Sequence, residues 1–304
     1  MSKRDFLKLL DLKAEEIKSI WERTKAYKEG QVQDKPLQGK TVGLLFEKPS
    51  TRTRISFEVA VIQTGGQAIF ISSRDTQMTR NEPLKDTARV LSRYLDGLVV
   101  RTFSQNTLDE LARFADIPVI NALSDLYHPA QILSDLYTIW ERKKDFQGMK
   151  VAWLGDGNNM ANSWIEAACL FPFQLILACP RGFEPNQEIW NLSKKEAGER
   201  ISLTENPIEA VRNAQVINTD VWASMGQEDQ AAERIQRFKG FQLNKTLLSS
   251  AKPDCLVLHC LPAHRGEEIT EEVLEGPNSA VFDQAENKLH VHKALLEFIL
   301  SSSH

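Results

Sequence analysis

Short apolar runs of strand length alternate with helix-period segments along nearly all of this 304-residue chain. In the first half the runs are 41–46, Gln67–Ile71, Gly97–Arg101 and Pro118–Ala122, and Asp86–Leu95 and Leu108–Ala115 between them carry helical patterns. The second half repeats the scheme at Lys150–Gly155, Leu175–Cys179, Ile201–Thr204, Val216–Asp220, Leu256–Leu261 and Val281–Phe282. A strand that is apolar throughout must be covered on both faces, so the alternation implies parallel sheets with helices on each side. Such sheets hold ligands beyond the carboxyl ends of their strands. The length exceeds what one core usually serves, so the expected class is α/β in two domains, each a mainly parallel sheet flanked by helices.

The join falls in the charged helical stretch Gln131–Lys144, which stops at Asp145-Phe146-Gln147-Gly148. A last helix, His290–Leu300, carries Leu295, Leu296, Ile299 and Leu300 as its apolar stripe. Gly226–Gly240 is polar and charged and reads equally well as a lid or as a solvated helix.

A net charge of −4 and a pI near 5.9 exclude bulk affinity for nucleic acid or acidic lipid, so any anion site must be a local concentration of cations. No apolar run approaches membrane-spanning length, and Met1-Ser2-Lys3-Arg4-Asp5 leads into a mixed-charge stretch and not a signal sequence. Cys169, Cys179, Cys255 and Cys260 fall in or beside apolar segments without metal-ligand spacing. Neither disulfides nor structural zinc are expected, and a cytoplasmic location is the simplest reading.

Ser50-Thr51-Arg52-Thr53-Arg54 is the most telling cluster. It follows the run 41–46 and precedes Ile55, Val59 and Ile62, which recur on one face of a helix. On a strand-to-helix turn the first helical N–H groups are free, and hydroxyls and guanidiniums added there suit a tetrahedral dianion. The plainer alternative is a Ser N-cap followed by two solvated arginines. Arg101 ends an otherwise apolar strand, where it points into the ligand crevice. His128-Pro129-Ala130-Gln131 follows Ser124-Asp125-Leu126-Tyr127 at another strand-to-helix transition.

The second half supplies different chemistry. Gly155-Asp156-Gly157-Asn158-Asn159-Met160 follows a strand but is not a dinucleotide fingerprint. Asp220 ends a strand and is followed by Ser224-Met225-Gly226, and His259-Cys260-Leu261-Pro262 ends another. An acid, amides and a thiol suggest a substrate with both amine and carboxylate.

Taken in order along the chain, these motifs resemble the transcarbamoylase family, and Asp220 with Ser224-Met225-Gly226 and His259-Cys260-Leu261-Pro262 resembles its ornithine branch. The likeness runs from about residue 5 to the end and takes in Leu84–Arg89 and Phe282–Asn287. It implies a carbamoyl phosphate domain over 1–143 and 288–304, an ornithine domain over 144–287, and a last helix that returns to the first domain. By the same resemblance Ser50, Thr51, Arg52 and Thr53 would hold phosphate, with Arg101, His128 and Gln131 on the carbamoyl group. Thr53, Arg101 and His128 would form the oxyanion hole. Gln77 would reach a neighbouring subunit's site in a homotrimer. Asn159, Asp220, Ser224 and Met225 would hold ornithine, and Cys260 and Leu261 would line the reacting centre. Lys288 stands where many relatives carry arginine, keeping the charge without a bidentate clamp.

The implied reaction moves the carbamoyl group of carbamoyl phosphate to the δ-amine of L-ornithine, with no metal or organic cofactor. Cys260, Asp220 and the leaving phosphate are all open as acceptors of the amine proton. Rival readings are a transcarbamoylase for aspartate, putrescine or acylated ornithine, a nucleotide-binding dehydrogenase, and a non-catalytic partner that has kept the fold.

Overall fold

The inner strands of each sheet are largely buried on both faces, and the computed structural model shows both sheets wholly parallel. It describes residues 3–72, 82–223, 229 and 231–301; Gln77, Ser224 and Met225 lie outside the described residues. The chain divides into unit 1, Met1–Ser134 with Glu286–His304, and unit 2, Asp135–Ala285.

In unit 1, β1 (Thr41–Phe46), β2 (Gln67–Ser72), β3 (Gly97–Arg101) and β4 (Val119–Leu123) lie in the order β2-β1-β3-β4. Its helices are α1 (Ala14–Lys28), α2 (Thr51–Gln63), α3 (Leu84–Leu91), α4 (Gln105–Phe114) and the start of α5 (Pro129–Lys143). In unit 2, β5 (Lys150–Leu154), β6 (Gln174–Ala178), β7 (Ile201–Thr204), β8 (Val216–Thr219) and β9 (Leu256–His259) lie in the order β7-β6-β5-β8-β9. The helices there are α6 (Asn159–Leu170), α7 (Gln187–Glu196), α8 (Pro207–Val211), α9 (Ala231–Phe238), α10 (Lys245–Leu248) and α11 (Glu271–Leu274). The last helix, α12 (Val281–Ser301), begins in unit 2 and ends in unit 1.

Each sheet reverses its winding once, between β1 and β3 and between β5 and β8, and crevices open at such points. Register levels the strand ends there. Phe46 pairs with Arg101, Leu154 with Thr219, and Thr219 with His259. Gly155, Asp220 and Cys260 each follow directly on one of these levelled residues.

Three sequence expectations are revised or resolved by the structure. Val281–Phe282 is not a strand but opens α12: Val281 is buried while Phe282 is 60% exposed, a helical and not a parallel-strand pattern. On α2 the Ile55/Val59/Ile62 stripe faces outward, with Ile55 and Ile62 more than half exposed, and Phe57, Ala60 and Val61 face the core instead. Within Gly226–Gly240, residues 231–238 form α9, which buries Arg234 and Phe238. The units part after Ser134, within the stretch Gln131–Lys144 that the sequence marks as the join, and again before Glu286, inside α12.

The tail of α12 is pinned to α1 and α2 within unit 1. Arg23 Nε and Tyr27 Oη donate to Glu297 Oε2 at 2.8 and 2.6 Å, and Lys28 Nζ donates to Asn287 Oδ1 at 2.7 Å. His292 stacks on Phe57 with ring centroids 3.6 Å apart.

The turn after β5 is held by close backbone approach. Gly157 N donates to Phe183 O at 2.8 Å, and a Cβ at 157 would lie 2.2 Å from Glu184 C and Pro185 N. Gly157→Ala should therefore cost about 3 kcal/mol in urea unfolding, against near neutrality for Gly240→Ala, where a Cβ meets nothing within 4 Å. Equal stability of the two variants would contradict the close approach.

Candidate active site

Beyond β1 the chain turns through Glu47, Lys48 and Pro49 into α2. Ser50 caps that helix from extended backbone, its Oγ accepting the Thr53 amide at 3.3 Å. The plain N-cap reading is thus correct as far as it goes. The helix start also leaves amides and positive dipole facing the crevice. Thr51 and Arg52 are exposed, and Arg52 makes no hydrogen bond or ion pair among the described residues. Arg54 is engaged elsewhere: its guanidinium lies 3.5 Å from the Phe70 ring centroid, and its Nε is 3.4 Å from Glu58 Oε2. A cleft of about 570 Å³ borders the turn, lined among others by Lys48, Ser50, Thr51, Arg54 and Phe70.

Two residues not singled out from sequence tie this turn to the next strand ends. Glu47 N donates to Arg101 O at 2.8 Å, and the Glu47 carboxylate accepts from the Thr102 hydroxyl and, at 3.3 Å, from Phe103 N. Lys48 pairs with Asp125 and sits 4.2 Å from the Phe103 ring centroid. The loops after β1, β3 and β4 are joined in this way.

Thr53, Arg101, His128, Gln131 and Lys288 are all buried in unit 1. Lys288 Nζ donates to Thr53 Oγ1 and to Gln131 Oε1, each at 2.9 Å. An ammonium only donates, so the Thr53 hydroxyl hydrogen and the Gln131 amide nitrogen are turned away from it. His128 precedes Pro129 and accepts the Gln131 and Ile132 amides at 3.1 and 3.2 Å, which starts α5. Burial, then the charges of Lys288 and Arg101, hold its imidazole well below the usual range, so it is neutral. His292 is depressed for the same first two causes, burial and Lys288; its Nδ1 lies 3.0 Å from Ser56 Oγ.

In unit 2 the levelled strand ends bring a carboxylate, an amide and a thiol together. Asp220 Oδ1 accepts from Cys260 Sγ at 3.0 Å and from Val221 N at 2.8 Å, and Oδ2 accepts from Asn158 Nδ2 at 3.2 Å. Asn159 begins α6, and the amide that meets Asp220 belongs to its neighbour Asn158. Asn158 also caps α6, accepting from Met160 N and Ala161 N at 2.9 and 3.3 Å. An Asn just before a helical run is the signal that could have found it. Asp156, raised by burial and by Asp220 but opposed by Arg234, accepts from Arg234 Nη1 at 2.7 Å. Arg234 also donates to Trp222 O at 2.8 Å, which fixes α9 to this edge. One donor atom each of Asp220, His259 and Cys260 lies within 4.8 Å of the others, but both ring nitrogens of His259 are already in protein hydrogen bonds.

Two parallel sheets, each with a polar cluster at its switch point, place the chain among the α/β enzymes. Residues 4–141 match the domain described as "Aspartate/ornithine carbamoyltransferase, carbamoyl-P binding domain", and residues 147–299 match the corresponding "Asp/Orn binding domain". The chain belongs to the aspartate/ornithine carbamoyltransferase family. It is 53% identical over 300 residues to the ornithine carbamoyltransferase of Geobacter sulfurreducens, covering 98% of this chain and 99% of the relative. Among solved structures, the ornithine carbamoyltransferase from Pyrococcus furiosus is 48% identical with TM-score 0.92, covering 97% of this chain and 96% of that one. The anabolic ornithine carbamoyltransferase from Campylobacter jejuni is 44% identical with TM-score 0.92, covering 97% and 98%.

The two depressed histidines give unit 1 a testable pH dependence. Above about pH 6.5 the imidazoles are neutral in folded and unfolded chains alike, and stability from this source is complete. Below it the unfolded chain takes up protons that the folded chain refuses, so stability falls, by up to about 1.4 kcal/mol per pH unit for each group. His292→Gln should lessen the loss between pH 6.5 and 5.5 by about 1 kcal/mol in urea unfolding, since the unfolded imidazole is only part-protonated across that range. An unchanged slope would contradict a neutral buried His292.

Proposed function

We propose that the protein is an ornithine carbamoyltransferase, converting carbamoyl phosphate and L-ornithine to L-citrulline and phosphate. The observation that carries this reading is Asp220, a buried carboxylate joined to Asn158 and Cys260 where the family binds its amino acid. A carboxylate suits the ammonium groups of ornithine and opposes the extra carboxylate of aspartate. The full-length likeness to relatives named for ornithine supports the same choice.

In the proposed reaction Ser50, Thr51, Arg52 and Thr53 receive the phosphate with the α2 N-terminus, and Gln131 and Lys288 order the carbamoyl side of the site. Neutral His128 donates to the carbamoyl oxygen with Arg101 and Thr53, stabilising the oxyanion as the δ-amine attacks the carbamoyl carbon. The tetrahedral intermediate then expels phosphate, and the proton lost by the δ-ammonium leaves by Cys260, Asp220 or the departing phosphate. Asn159, Asp220, Ser224 and Met225 hold the α-amino and α-carboxylate groups, and Cys260 and Leu261 line the reacting centre. Phosphate is a good leaving group, so no metal or cofactor is required.

The working form we propose is a cytoplasmic homotrimer in which Gln77 completes a neighbour's site, acting in arginine biosynthesis. Exposed Ile55 and Ile62 on α2 supply apolar surface for such contacts, and the four free cysteines fit a reducing compartment. The Campylobacter jejuni relative, described as anabolic, supports the biosynthetic direction.

The direct test is citrulline formation by the purified protein, run beside aspartate, putrescine and acetylornithine. Citrulline as the dominant product is expected; preferential carbamoylation of another amine would overturn the assignment. Asp220→Asn should narrow the ornithine-to-putrescine ratio of kcat/KM by roughly 10- to 100-fold, the worth of one charged hydrogen bond. A preserved ratio would mean that α-amino recognition lies elsewhere.

A further inference from the structure

His259 ends β9 and directly precedes Cys260 and Leu261. It is 1% exposed, and its three nitrogens are all in hydrogen bonds. The backbone N donates to Gln284 Oε1 at 2.9 Å, and Gln284 is itself fixed by donating from Nε2 to buried Asp135 Oδ1 at 2.7 Å. Nδ1 accepts the Leu261 amide at 2.9 Å, and Nε2 lies 3.0 Å from Oε1 of fully buried Glu268. That same Oε1 also accepts His264 N at 2.6 Å.

An amide N–H can only donate, so Nδ1 must present its lone pair and the ring proton must sit on Nε2, aimed at Glu268. Leu261 has φ +57°, a left-handed conformation unfavourable for a bulky side chain. Such a residue persists where its surroundings over-determine it. Here the bond from its own amide to His259 Nδ1 is the local constraint. Between them stands Cys260, whose thiol donates to Asp220.

We propose that His259 is a positioning residue for the transfer reaction: its Nε2-protonated imidazole, braced by Glu268, holds Leu261 in the left-handed turn that places Cys260 and Leu261 at the reacting centre. This rests on the ornithine carbamoyltransferase reading and adds to it a residue that contacts neither substrate.

Two variants separate positioning from bulk stability. His259→Asn keeps an acceptor near the Nδ1 place but cannot reach Glu268. His259→Gln places a donor near the Nε2 site but leaves the Leu261 amide without its acceptor. Both should lose thermal stability to a similar degree. Citrulline kcat should fall about a hundredfold in His259→Gln and by less than about tenfold in His259→Asn, with KM for carbamoyl phosphate little changed in either. Equal losses of kcat that track the melting temperatures would overturn the proposal. Should either variant fail to fold, nitrogen-15 NMR of the histidine-labelled wild-type protein decides: a neutral ring with Nδ1 bare supports it, and an Nδ1-protonated ring overturns it. Absence of citrulline from the wild-type enzyme would overturn the functional reading alone, since the tautomer is read without turnover.

Discussion

A buried lysine ties three elements of unit 1 together and sets the protonation of the imidazoles near it. Lys288 Nζ sits between Thr53 Oγ1 and Gln131 Oε1, in a region that also buries Arg101 and His128. Positive charge in a buried place disfavours a further proton beside it. That effect is visible in His128 and His292, both held neutral by burial and then by Lys288. A neutral imidazole can donate a hydrogen bond without bringing yet another charge, which suits the polarisation of a carbonyl next to a phosphate.

Strand register carries these groups to their places. Parallel strands end level with one another, so a polar residue placed one step beyond an apolar run arrives beside the residue one step beyond the next. Asp220 and Cys260 meet because Thr219 and His259 are paired, and Arg101 flanks the β1 turn because it pairs with Phe46. The tail of α12 then brings Lys288 and His292 to α2, although both are more than 200 residues distant in sequence from Thr53 and Phe57.

Much of this is legible in the sequence because fully buried parallel strands read as unbroken apolar runs and their flanking polar motifs stand out. The limits have equally physical causes. Val281–Phe282 is too short a run to distinguish a strand from the first turn of a helix. Ile55 and Ile62 show the right period for a helix, but period does not say which face is covered, and here the face carrying Phe57 and Ala60 is buried. The parting of the units falls inside the stretch Gln131–Lys144, but no residue within it marks the point, because α5 continues through it. Asn158 is legible as a cap before a helical run, but its bond to Asp220, like the bonds of the buried His259 imidazole, is displayed only by the folded chain.

The central proposal is that the turn from β1 into α2 is the phosphate site, with Arg52, which makes no ion pair among the described residues, as a cation that meets the phosphate. Steady-state kinetics of Arg52→Ala with carbamoyl phosphate varied test it most directly. The account predicts a loss of roughly 2–4 kcal/mol in kcat/KM for carbamoyl phosphate, the worth of one charge-assisted contact to a dianion, with thermal stability essentially unchanged because Arg52 is exposed. An unaltered kcat/KM for carbamoyl phosphate in that variant would contradict it.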